Sequence, residues 1–424
     1  MMRRLMMFRI FLAMFLACGA TYADEARVKG LIRDWSPLVW LAPGERFLPL
    51  GVPEFLDNVE VDDNYLRTRL SLQSLLQNRS SFLHGRKPAG NVPIYALVKN
   101  CMADHSPATE SSATSTTKGT KKPDLIVEEF LFKPVETNNV PSGGECADFF
   151  FHFFKVIGRI LEVPPPAMSA PPPKARLSPK PHDLDETKRR KLKLQQQHKQ
   201  KPQRPPLHFH VTYWMFYPYS EGKAVCVLDL GFLGSWPIPN IGGMCLGVLK
   251  EYGSHVGDWE HVSLYFKGKD HPVAMYVSAH DAGAFYRYEA LSGTFVYESQ
   301  ETRKGGLFQK PTFPERVFTS QGSHPVLFSA RGSHGLWTAP GKHKFVRLPR
   351  LYDESGFGTP WPTWRKLELL WDWESNAMPG WMTFTGKWGN PKSNCHPLAR
   401  FGFNICEFVD GPTGIPMKRM NFKC

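Results

Sequence analysis

From residue 207 onward the chain is written in short aromatic and β-branched runs separated by Gly, Pro, Asp or Ser, and this punctuation constrains the fold most. The runs 211–217, 262–266, 273–277 and 325–329 are each too short for a typical helix and have the composition of buried strands. They predict a mostly β protein with a β-sandwich core. A few peripheral helices are expected early in the chain, at Pro53 to Leu56 and over the Leu66 to Leu76 run, where apolar spacing is closer to helical. Six tryptophans, Trp361, Trp364, Trp371, Trp373, Trp381 and Trp388, fall within 28 residues, and an aromatic core is favoured over a sugar-stacking platform.

Composition divides the chain into stretches. Residues 1–23 read as a cleavable signal peptide: Arg3, Arg4 and Arg9 precede the apolar run Ile10 to Ala17, and small residues lead to Ala23. Residues 24–163 are expected to form the N-terminal part of the fold with a Ser/Thr/Lys-rich loop. Residues 164–206 are expected to be a Pro-rich basic linker, part of a long disordered insertion, because two Pro triplets and a Lys/Arg/Gln run cannot bury a core. Residues 207–424 then form the β-rich sandwich domain. No stretch suits a bilayer span; the best, Phe149 to Val163, carries His152, Lys155, Arg159 and Glu162 and reads as an amphipathic helix. The expected location is the secretory pathway, extracellular or in a vacuolar lumen.

The net charge of +13 invites a nucleic-acid reading that its distribution removes. Residues 164–206 hold eleven Lys and Arg against three acids, the signal peptide adds three more cations, and only +2 remains for everything else. No nucleic-acid partner is expected. Eight cysteines become seven after cleavage, and in an oxidising compartment they imply disulfides. The nearest pairs in sequence are Cys101/Cys146, Cys226/Cys245 and Cys395/Cys406, with Cys424 left over, although spacing alone does not fix the pairing. Asn78-Arg79-Ser80 is a glycosylation sequon.

Nine of the fifteen histidines lie between 208 and 343, so the chemistry is sought there. The densest cluster is Gly253-Ser254-His255-Val256-Gly257-Asp258-Trp259-Glu260-His261. If Asp258 begins a strand, the two-residue period puts Asp258 and Glu260 on one face and Trp259 and His261 on the other. Paired carboxylates repel unless a proton or cation intervenes. With His255 from a preceding loop they make a mixed oxygen/nitrogen metal site for a divalent cation, Mg or Ca in preference to Mn or Zn. His280, in Ser278-Ala279-His280-Asp281, and His334, in Gly332-Ser333-His334-Gly335, end other runs beside small residues. Glu260, His280 and His334 are therefore the candidate catalytic groups.

These pieces resemble the vacuolar protein sorting-associated protein sixty-two family. The resemblance rests on Ser36 to Leu41 with Glu45 and Pro49, Tyr213 to Tyr219, Gly257 to His261, Ser278 to His280, Gly332 to His334, Asp353 to Gly356, Gly386 to Pro391 and Gly411 to Gly414. It covers roughly residues 35–60 and 207–416, and leaves 101–206 as an insertion. His255, Asp258, Trp259 and Glu260 are also similar to the His-x-x-Asp-Trp-Glu core of necrosis-inducing cytolysins, which implies a cation-bearing sandwich that engages lipid headgroups. Here Gly257 stands where that motif has a second His. The expected function is cation-dependent binding of a polar lipid headgroup or glycan, with peripheral membrane contact; the alternative is a metal-dependent hydrolase with Glu260 or His280 as base.

Overall fold

The two central strands of the fold are buried on both faces, which is why their sequences read as continuous apolar runs and not as clean alternation. The structure is a computed structural model that describes residues 24–101, 206–302, 311–346, 351–372, 378–401, 405–419 and 421–424. The stretches expected to be a signal peptide (1–23), an amphipathic helix (149–163) and, up to residue 205, a linker lie outside the described residues, as do Trp373 and Cys146.

Among the described residues, two principal sheets are built from β1 (Leu38–Leu41), β2 (Ile94–Asn100), β3 (His208–Ser220), β4 (His255–Lys267), β5 (Ala274–Ala279), β6 (Ala282–Glu289), β7 (Thr294–Thr302), β8 (Arg316–Val317), β9 (Thr319–Ser320), β10 (His324–Ser329), β11 (Leu336–Trp337), β12 (Thr359–Pro362) and β13 (Leu367–Trp371). The larger sheet runs in the order β8-β7-β6-β5-β4-β3-β2-β13, and the smaller in the order β9-β10-β1-β12 with β11 on β10. Residues 24–101 and 207–424 belong to one unit: β2, from before the insertion, pairs antiparallel with β3 from after it.

The side chains of β3 show how the layers form. Val211, Tyr213 and Met215 join Val262, Leu264 and Phe266 of β4 in a core shared with Val39, Leu41, Leu327 and Trp361 of the smaller sheet. The opposite face, with Trp214, Phe216 and Trp259, is covered by Val52 and Phe55 and by Trp381 and Trp388. Fully burying one such side chain contributes roughly 1.5–3 kcal/mol. The fold is thus the expected mostly β sandwich, with helices at 24–34 (α1), Val52–Leu56 (α2) and Leu72–Gln77 (α3).

The expected strands 211–217, 262–266 and 325–329 lie inside β3, β4 and β10, and the run 273–277 coincides with β5 except for its first residue. The expected helix at Pro53 falls in α2, with Pro tolerated in the first turn. The Leu66 to Leu76 helix is corrected. Leu66 belongs to the strand Tyr65–Thr68, which pairs with Val59–Asp62, and α3 begins only after Ser71, whose hydroxyl caps Ser74 N at 3.3 Å. Trp361, Trp371, Trp381 and Trp388 are buried, so they form core. The structure settles the cysteine pairing that spacing left open: Cys226–Cys245 and Cys395–Cys406 form between nearest neighbours, whereas Cys101 bonds Cys424, 323 residues away. The chain's end returns to the end of β2, a closure that spacing along the sequence cannot show.

Candidate functional site

The His/Asp/Glu-rich residues 255–261 lie within one strand. His255 is the first residue of β4 and not part of a preceding loop. The two-residue period then acts as expected: Asp258 and Glu260 share the face of Val262 toward the smaller sheet, whereas Trp259 packs on the opposite side with Trp381 and Trp388. His261 follows Trp259, stacking near Trp214 and meeting the Asn421 amide at 2.9 Å. Gly257 has φ +67°, and a Cβ there would stand 2.1 Å from the Trp388 carbonyl oxygen. No side chain with a Cβ, His included, fits at that position without a shift of the backbone.

Asp258 is held by His334. The His334 Nδ1 lies 3.0 Å from Asp258 Oδ2, and its Nε2 donates to the Phe47 carbonyl at 3.0 Å, so both ring nitrogens are committed. The ring is fully buried and stacks flat on Tyr217 at 3.9 Å. Its backbone is left-handed, φ +59°, in the turn between β10 and β11. Burial alone would raise the Asp258 carboxyl, but the His334 hydrogen bond and the fields of His255, His334 and Lys418 hold it below the usual range. Glu45 completes this joint: its carboxylate accepts from the backbone N–H groups of Arg46 and Phe47, each at 2.8 Å, and of Gly332 at 2.7 Å. His334 therefore positions Asp258 and ties it to the loop that carries Phe47.

His280 belongs to a second group. It occupies the two-residue turn between β5 and β6, with φ +55°, and its Nε2 donates to Asp353 Oδ2 at 2.7 Å while its ring stacks on Phe345 at 4.1 Å. Asp353 is fully buried and saturated: Trp337 Nε1 reaches the same oxygen at 3.0 Å, and Ser333 Oγ and Lys223 Nζ reach Oδ1 at 2.7 and 2.9 Å. Burial opposes its charge, but His280 and Lys223 push its carboxyl far below the usual value.

Between these two joints lies a cleft of about 650 Å³ whose walls include His255, Asp258, Glu260, His280, Lys223 and Lys418. A second concavity, about 640 Å³, sits between Ser235, Tyr252 and His396 and contains none of the sequence-predicted residues. His255 donates from Nδ1 to the Gly257 carbonyl at 2.7 Å, which leaves Nε2 as the ring nitrogen that could ligate, and burial lowers its pKa, favouring the neutral form. The ligand atoms of His255, Asp258 and Glu260 are not all gathered within 4.8 Å of one another. The group so gathered among the described residues is Cys101, His210 and Cys424, whose cysteines are already bonded together.

Curated relatives come from Saccharomyces cerevisiae. The putative vacuolar protein sorting-associated protein TDA6 is 27% identical over 229 residues, 50% of this chain and 42% of that protein. Vacuolar protein sorting-associated protein 62 is 25% identical over 227 residues, 49% of this chain and 41% of that protein. The chain is Vps62-like. It spans about two fifths of the length of these Vps62-type relatives. No family model matches the chain, and no solved structure matches it.

Two residues central to the site, Asp353 and Lys223, were not singled out as chemistry in the sequence. Asp353 meets His280 across 73 positions and Lys223 across 130, and nothing local marks an acid that will be buried. Glu45 and Asp353 surface in the sequence only as parts of the family resemblance.

Proposed function

We propose that this chain is a binding protein of the vacuolar or secretory route whose cleft takes a divalent cation and, through it, an anionic or hydroxyl-rich headgroup of a lipid or glycan. The observation that carries the reading is His255: its Nδ1 is tied to a backbone carbonyl and its Nε2 is left for a ligand beside two carboxylates on one strand face. An ion held by His255, Asp258 and Glu260 would have two carboxylates and one imidazole, and Mg or Ca suits that oxygen count. Lys223 and Lys418 on the walls supply positive charge for the headgroup's anion. The location is supported by three disulfides, which persist in oxidising compartments, and by the printed names of the yeast relatives. Among the described residues no helix is long and apolar enough to cross a membrane.

Calorimetric titration of Ca, Mg and Mn into the secreted chain tests this. Dissociation constants on the order of 0.1–1 mM, typical of weak extracellular sites, are expected, with His255→Gln and Glu260→Gln each weakening the ion by about tenfold. Absence of binding at millimolar cation in the wild type overturns the reading.

A metal-dependent hydrolase is the second reading, favoured by one feature: His280 lines the cleft with a buried Asp353 behind it, the arrangement that orients a general base. Metal-stimulated turnover of ester or phosphoester substrates that His280→Asn abolishes would establish it; turnover indifferent to His280 removes it.

A further inference from the structure

The two strands that carry the site, β3 and β4, are joined by an excursion that plays no part in the core. It is a small three-stranded sheet of Lys223–Asp229, Ser235–Pro237 and Val248–Tyr252, clipped by the Cys226–Cys245 disulfide. Of the seventeen large apolar side chains exposed among the described residues, nine fall within 228–249. Phe232 is 89% exposed, Met244 69%, Leu246 66% and Ile241 60%. A monomeric soluble surface scatters such groups singly, and a cluster marks a contact.

We propose that residues 228–249 form an apolar arm that inserts into the interface of a lipid bilayer. Three observations choose lipid as the occupant. Residues 230–249 contain no Asp, Glu, Lys, Arg or His, so the arm offers a protein partner no charge to set a register, and the flanking Asp229 is neutralised by Lys250 at 2.8 Å. The backbone of the tip pairs with itself, Ile241 N to Met244 O and Met244 N to Ile241 O at 3.0 Å, Gly234 N to Gly231 O at 2.9 Å and Leu230 N to Gly234 O at 3.1 Å. Internal pairing is what an apolar medium demands. Finally, the segment carries Trp236 among exposed Leu, Ile, Met and Phe side chains, the composition that partitions into the headgroup and acyl boundary.

The arm's base also builds the cleft. Gly222, Lys223, Val225 and Tyr252 line the same cavity as His255 and Glu260. Insertion of the tip would hold that cavity at headgroup level, but insertion itself needs no cation and goes beyond the cation-binding reading.

The test is flotation of the secreted chain with phosphatidylcholine vesicles, with and without phosphatidylserine, in EDTA. The wild type is expected to float, and Phe232→Asp/Met244→Asp to lose at least about tenfold in vesicle partition. Leu291→Asp, at an exposed residue outside the arm, is expected to float like the wild type. Circular dichroism melts are the check that the double variant folds. The proposal is overturned if the wild type stays unbound to both vesicles, or if the double variant floats equally well. It is also overturned if the arm instead mediates a dimer, seen as a size shift that the double variant reverses without any flotation. Cation-dependent flotation that survives the double variant and is lost in Glu260→Gln would overturn the arm and sustain the cleft, whereas flotation in EDTA with no cation titration would do the reverse.

Discussion

Asp353→Asn is the sharpest perturbation of this structure, because one isosteric change removes a buried charge that four donors have been built around. His280 and Trp337 donate to one oxygen, Lys223 and Ser333 to the other. An amide can satisfy only one of these pairs; its NH₂ group confronts the other pair with a donor. Breaking a buried ion pair by removing one partner costs about 3–5 kcal/mol. The side chains of His280 and Lys223 keep 22% and 21% of their surface and can turn to water, so the lower end applies, about 3 kcal/mol. At roughly 2 °C per kcal/mol for a domain of this size, the melting temperature should fall by about 6 °C.

The pH dependence makes the reasoning refutable. The Asp353 pKa is depressed in the folded chain, so its contribution is complete above the unfolded value near 3.8 and is lost progressively as pH falls below it. Asn does not titrate. Denaturant melts of wild type and variant at pH 7 and pH 3 should therefore show a gap of about 3 kcal/mol at the higher pH that narrows at the lower. A gap under about 1 kcal/mol at pH 7, the range of an exposed pair, or one of equal size at both pH values, would show that Asp353 is not the charged hub of this joint.

His210 predicts a second acid sensitivity with a different window. Burial, with smaller effects from Lys99 and His208 against Asp372, lowers its pKa from 6.5 to about 4. The unfolded chain therefore takes the proton first, and up to about 3 kcal/mol of stability is lost as pH falls from 6.5 to 4; His210→Phe should flatten that slope in pH-dependent melts. Gly257→Ala should cost about 3 kcal/mol or more, because a Cβ at φ +67° meets the Trp388 carbonyl at 2.1 Å, and a variant that melts like the wild type would deny the close approach. Replacing Cys101 and Cys424 together by Ala should lower stability by about 4–5 kcal/mol given the length of the loop they close. Reducing agent should move the wild type toward that variant.

Much of the sandwich was legible because β3, β4, β5 and β10 are buried strands whose side chains had to be aromatic or β-branched. The facing of Asp258 and Glu260 was legible for the same reason, since the period of a strand is fixed by its backbone. What failed was context. Leu66 to Leu76 carries helical spacing, yet Tyr65–Thr68 is needed as a strand against Val59–Asp62, and tertiary pairing outweighed local preference. The Cys101–Cys424 bridge stayed open in the sequence because the approach of two residues 323 positions apart is a property of topology alone. Asp353 was invisible as chemistry because every one of its partners is remote or itself unremarkable.

The cleft also shows how to separate residues that hold it together from residues that would use it. His334 spends both nitrogens and Asp353 accepts two hydrogen bonds at each oxygen; these two groups are fully engaged by the protein, and their removal changes the shape of the cavity first. Both His280 and His334 also sit in left-handed turns, a backbone cost tolerated where surrounding contacts over-determine the geometry. His255 is different. Its Nδ1 is anchored, its Nε2 has no hydrogen-bond partner among the described residues, and it lines the cleft between the two joints. Loss of binding in Asp258 or His334 variants would thus be ambiguous between collapse and lost chemistry, while a His255→Gln variant that keeps its melting temperature and loses the cation isolates the chemistry.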